Sequence, residues 1–105
     1  MRLVLHVEAQ KDLDELIDYI ASRGGRLIAE QQLTRAHTAL KTIERFPRAS
    51  RYDARLDFFE AWLPRTRFIV FYRILEDRDL VVVLAVIDHA RNTLRTKRRV
   101  IRSRA

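Results

Sequence analysis

The sequence contains no cysteine. That excludes disulfides and thiolate chemistry, and a zinc site would have to be built from three scattered histidines and carboxylates. No metal and no cofactor is expected. Only two glycines occur in 105 residues, which argues against a basic nucleic-acid-binding module, where glycine and exposed aromatics usually interleave with the basic residues. Long apolar runs are also missing. The opening Leu3-Val4-Leu5 is interrupted by His6 and Glu8, so it cannot serve as a signal-peptide core. No stretch approaches the roughly 20 apolar residues of a membrane span, and a cytoplasmic protein is expected. After Asp88 there is no acidic residue at all.

What is present suits a folded chain: 48% of residues are hydrophobic and 33% charged, too apolar for a disordered one. The length is that of one modest core, and a single domain over residues 1–105 is expected, with about 91–105 as a basic tail. The net charge of +7 points to an acidic partner. Its distribution is uneven, because Asp12, Asp14, Glu15 and Asp18 cluster early while the positive charge gathers at the C-terminus.

Hydrophobic periodicity orders the chain. Arg2 to Val7 reads as a short, largely covered strand. Between Ala9 and Arg23, Leu13, Leu16, Ile17 and Ile20 form one helical stripe, with acidic residues near the positive end of the helix dipole, and Gly24-Gly25 is expected to end it. A second helix, about Leu27 to Phe46, carries Ala29, Leu33, Ala36, Leu40 and Ile43 as one seam, and Pro47 closes it. So short a link makes an antiparallel helix hairpin that needs a sheet beneath it. Leu56 to Leu63, Phe68 to Leu75 and Leu80 to Ile87 supply three strands rich in aromatic and β-branched residues. Hairpin-length links at Pro64-Arg65-Thr66 and Glu76-Asp77-Arg78-Asp79 make them an antiparallel meander. The expected class is α+β: strand, helix hairpin, three-stranded meander, then a tail from about Arg91 to Ile101 that is either a short basic helix or a disordered arm.

This order, together with several motifs, resembles the RelE/ParE toxin superfamily over nearly the whole chain. Ala9-Gln10-Lys11-Asp12-Leu13 followed by Tyr19-Ile20-Ala21 is similar to the family's A-x-x-D-L…Y-I-A opening, and Phe46-Pro47-Arg48 to its helix-terminating proline segment. The run Phe68 to Ile74 resembles its Y-x-I-x-Y-R strand, and Val86 to Arg91 its V-x-x-H-x-R ending. The resemblance implies one half of a type II toxin–antitoxin pair, held inactive by an acidic antitoxin. Two targets are implied by its branches: DNA gyrase for ParE-like members, messenger RNA on the ribosome for RelE-like ones.

RNA cleavage needs a base for the 2′-hydroxyl, cations for the phosphorane charge and an acid for the leaving oxygen. At the positions where the resemblance implies basic groups, this chain carries Glu60, Trp62 and Ile69, and only Arg91 matches. A carboxylate there repels phosphate and an isoleucine stabilises no charge, which favours the ParE-like branch and no enzymatic activity. Should an active site exist, His89 and Arg91 are the catalytic candidates, against a plain strand-end role for His89; His6 and His37 read as structural.

Alternation puts Phe58 and Trp62 on one side of their strand, and Arg67, Ile69, Phe71 and Arg73 on one side of the next. The resemblance turns these sides away from the helices. Left open, they would form a docking surface for antitoxin or target; alternatively, the aromatics pack beneath the C-terminal tail. In the tail, Arg91, Arg95, Arg98 and Arg102 would share a helical face, and with Arg99 they complete the binding candidates; like charges so spaced call for an acidic partner.

Overall fold

The computed structural model describes residues 1–90, 96, 98–100 and 102. A first strand, β1 (Arg2–Leu5), leads into α1 (Val7–Gly24) and α2 (Arg26–Arg45), followed by β2 (Arg51–Asp53), β3 (Phe58–Trp62), β4 (Phe68–Leu75) and β5 (Leu80–Asp88). The first strand stops two residues earlier than its pattern predicts. His6 has left the strand to cap α1, its Nδ1 accepting the Glu8 backbone N–H at 3.1 Å, which satisfies one of the orphan donors at the helix start. Gly24 is still helical, and Gly25, at φ 92° and ψ 166°, makes the break. That conformation is nearly closed to residues with a Cβ.

Five strands form one sheet in the order β1-β5-β4-β3-β2. β3, β4 and β5 are the expected antiparallel meander, and β1 adds to it parallel to β5, with Leu3 opposite Val81. The fifth strand, β2, pairs antiparallel with β3 and places Arg51 opposite Glu60. It was not anticipated, having three residues and a single aromatic side chain. With so few glycines, the tight turns put Asp57, Arg65 and Asp79 at positive φ, a left-handed conformation that costs a non-glycine residue roughly 1–2 kcal/mol.

Two apolar clusters lie on opposite faces of the sheet. On one, Ala9, Leu13, Leu16 and Ile20 of α1 and Ala29, Ala36 and Leu40 of α2 meet Phe68, Val70, Tyr72, Val81, Val83 and Val86. On the other, Phe58, Ile69, Phe71, Ala85 and Ile87 gather around Val100. Strict alternation would have put Val83, Ala85 and Ile87 on the same side. Instead Phe71 faces Ala85 while Tyr72 faces Val83, so Leu84 is an extra residue in β5. This bulge inverts the strand's remaining side chains.

Candidate functional site

The far face, turned away from the helices, carries most of the residues singled out from the sequence, and it is not open. Phe58, Ile69 and Phe71 are 1%, 1% and 0% exposed. Phe58 and Phe71 meet edge to face at 5.1 Å between centroids, a favourable quadrupole arrangement. Of the two readings, the open docking surface is corrected for Phe58, Ile69 and Phe71, and packing beneath the C-terminal part of the chain holds: these rings and Ile69 are a second core, closed in part by Val100. Thr96, Arg98, Arg99, Val100 and Arg102 have helical backbone. Arg91 and Arg95 lie outside the described residues, so neither the catalytic candidate Arg91 nor the shared arginine face is described.

One carboxylate ties this cover to the rest. Asp12, in the second turn of α1, accepts from the Arg99 Nη1 at 2.9 Å and Nη2 at 2.5 Å, and from the Val86 backbone N–H at 3.0 Å. A bidentate arginine–carboxylate pair is among the stronger polar contacts. The hydrogen bonds to Asp12 raise the Arg99 guanidinium further above its ordinary value, and Glu8 and Glu15 add to the effect while partial burial opposes it. Arg99 is therefore engaged by α1 of its own chain. Beside the pair opens a cleft of about 800 Å³, lined by Glu8, Asp12, Glu15, Asp88, Arg99 and Arg102 among others; Arg98 and Arg102 are exposed.

Two arginines of the meander, Arg67 and Arg73, are also engaged. Arg67 donates to Asp88 at 2.5 Å, and Asp88, 2% exposed, takes the Ala90 backbone N–H as well. Arg73 donates to the Asp57 carbonyl at 2.8 Å, holding the turn between β2 and β3. At the end of the sheet Trp62, 63% exposed, lies across His89, with ring centroids 5.8 Å apart and planes 22° from parallel. The indole N–H donates to Glu60 Oε2 at 3.1 Å. Of the three residues at the nuclease positions, Ile69 is inside the second core, Glu60 is half-buried and Trp62 is in a stack. His89 itself is exposed, with the indole against one face of its ring.

Sequence reasoning missed Asp12 as an anchor and Asp88 as a buried acid. A faint signal existed for the first: Asp12 stands between Ala9 and Leu13 on the apolar side of α1, where a carboxylate must find donors. The flank of the helix-side face was missed too. Tyr72, whose hydroxyl donates to the Pro47 carbonyl at 2.7 Å, stacks on Phe59 at 5.2 Å, and Phe59 meets Tyr52 at 4.9 Å. Burial pushes the Tyr72 phenol above its ordinary value. Among the described residues no group of three or more histidines and carboxylates is placed to hold a metal, and no helix is long and apolar enough to cross a membrane.

The fold has clear relatives. A chain of the chromosomal ParDE TA system from P. aeruginosa superposes with a TM-score of 0.73 at 19% identity, over 84% of this chain and 95% of that one. A chain of the RelBE2 toxin–antitoxin complex from Mycobacterium tuberculosis gives 0.58 at 22% identity, over 83% and 95%. The isolated E. coli RelE toxin gives 0.58 at 18% identity, over 90% of each chain. At such identities the likeness shows the fold, that of RelE/ParE-like toxins. The family described as "ParE toxin of type II toxin-antitoxin system, parDE" matches residues 3–93, and the chain belongs to that family. No curated protein matches it.

Proposed function

We propose that this ParE-family toxin arrests growth by binding its target, DNA gyrase, in the cytoplasm, rather than by cutting RNA, and that an acidic antitoxin neutralises it. The observation that carries the first part is the state of the nuclease positions. Ile69 is sealed in a core, Trp62 stacks on the exposed His89 and hydrogen-bonds Glu60, and Arg67 and Arg73 are engaged within the chain, so the three nuclease positions supply no cluster of cations for a phosphorane. Binding needs no such cluster. The net charge of +7 supports an acidic partner, and the M. tuberculosis relative is itself a toxin–antitoxin complex.

The experiment is expression of the chain alone and together with the small reading frame adjacent to its gene, with gyrase-linked DNA breaks and messenger integrity followed in parallel. Growth arrest with DNA breaks and intact messengers, relieved by the neighbouring protein, is the expected result. Ribosome-dependent messenger cleavage, lost in Arg91→Ala, with undamaged DNA would establish the RelE-like alternative instead.

A further inference from the structure

The helix pair does not cover the whole near face. α1 and α2 pack chiefly over β5 and β1, at the opposite end of the sheet from β2. On the uncovered flank the ring series Tyr72, Phe59, Tyr52 climbs from the core to the surface: Tyr72 is buried, Phe59 half-buried and Tyr52 49% exposed. Beside Tyr52 and Phe59 is a cavity of about 240 Å³ whose walls also include Ile74 and Leu75, with Arg48 and Arg73 and the acids Asp57 and Glu76 around them. Phe46, which ends α2, is 58% exposed. β2 itself is the sheet edge, bonded on one side only, to β3, so its outer backbone groups are presented to solvent or to another strand.

The charge around this edge has one sign along its approach. Residues 45–51 read Arg-Phe-Pro-Arg-Ala-Ser-Arg, three arginines without a carboxylate. Nearby acids are committed within the chain: Asp57 accepts from the Tyr52 hydroxyl at 2.6 Å, and Asp53 accepts from the Arg55 and Leu56 backbone N–H groups. Glu76 pairs with Arg48 at the surface, a contact of small net value in water that an incoming carboxylate can replace.

From this arrangement we infer that the β2 edge, with the Tyr52–Phe59 cavity beside it, docks an extended acidic segment of the antitoxin, which adds a strand to β2 and seats one apolar side chain in the cavity. The inference rests on the reading of the chain as one half of a toxin–antitoxin pair. Main-chain pairing along an edge supplies affinity and a flanking pocket supplies selectivity. A second copy of this chain is the poorer occupant, because two edges would bring Arg45, Arg48 and Arg51 of each copy together. An acidic segment turns the same arginines from a barrier into attraction.

The test uses the whole toxin and the protein encoded by the adjacent reading frame. Binding is measured by calorimetry at low and high salt, and backbone hydrogen exchange is followed over residues 48–55. Tyr52→Ala removes the cavity wall, and Arg51→Glu reverses charge on the edge; both side chains are exposed, and a thermal melt checks that each variant is folded. Each is expected to weaken binding at least about tenfold, or about 1.4 kcal/mol, while Leu27→Ala at the tip of the helix hairpin binds like the unaltered chain. Exchange over 48–55 should slow in the complex, and high salt should weaken it. Should Arg51→Glu and Tyr52→Ala both bind at full strength and exchange at the edge stay unchanged, the docking site is wrong although the pair stands. Failure of the unaltered toxin to bind its neighbour at all would remove both the pair and the site.

Discussion

The two faces of the sheet are built from the same strands but closed in different ways. The near face is roofed by two long helices whose stripes were made for it: Leu13, Leu16 and Ile20 from one, Ala36, Leu40 and Ile43 from the other. The far face has no such roof among the described residues. Its rings turn on each other and on Val100, which comes from the last part of the chain, and the residue beside Val100 is pinned to α1 through Asp12. The near core is therefore closed by local elements early in the sequence, whereas among the described residues the cover of the far core is tied to α1 through a polar pair joining residues 12 and 99.

That comparison breaks first at Phe71. If the far face is a true core, Phe71→Ala should cost about 3–5 kcal/mol, in the same range as Leu13→Ala opposite it, in equilibrium denaturation. A cost under about 1 kcal/mol would mean the far side chains are loosely held and the two faces are not equivalent.

Asp12→Ala comes next. It strands the Val86 N–H and frees Arg99, for an expected loss of about 2 kcal/mol. Arg99→Ala should cost less, since its side chain is 37% exposed and Val86 keeps its acceptor. Equal losses would show that the value of Asp12 lies in Arg99 alone.

The smallest effect is on the near face. Tyr72→Phe deletes the hydrogen bond to Pro47, at about 1 kcal/mol. Burial favours the neutral phenol, so the folded form holds its proton to higher pH than the unfolded chain. Stability from this group is complete below the ordinary value of 10.0 and declines as pH rises above it. Melts taken across that range should show a shallower alkaline decline in the phenylalanine variant. An unchanged decline would assign it to other groups.

Much of the architecture was readable because it rests on periodicity. The stripes of α1 and α2, the stop at Pro47 and the three meander strands follow from spacing and turn chemistry, and the structure moves their ends by only a residue or two. Three features escaped. β2 is too short to show a pattern, and only its pairing with β3 makes it a strand. The bulge at Leu84 cannot be seen in Val81 to Ile87, a run apolar throughout, where alternation carries no contrast. Which face is covered is likewise invisible to a two-residue period, so Phe58, Ile69 and Phe71 could be assigned a side but not an environment. For the site, spacing placed Trp62 and His89 near one another only through the fold, and nothing in the sequence told that Arg67 and Arg73 spend their donors inside the chain.

The extra residue in β5 reaches beyond the strand it interrupts. Asp88 and His89 are neighbours, and the phase of the strand decides which of them meets water. Were Leu84 held in register instead, the count of two from Val81 would pass through Ala85, Ile87 and His89, turning His89 inward and Asp88 out. Leu84, set outside the pairing, thus keeps Asp88 buried against Arg67 and leaves His89 exposed beside Trp62.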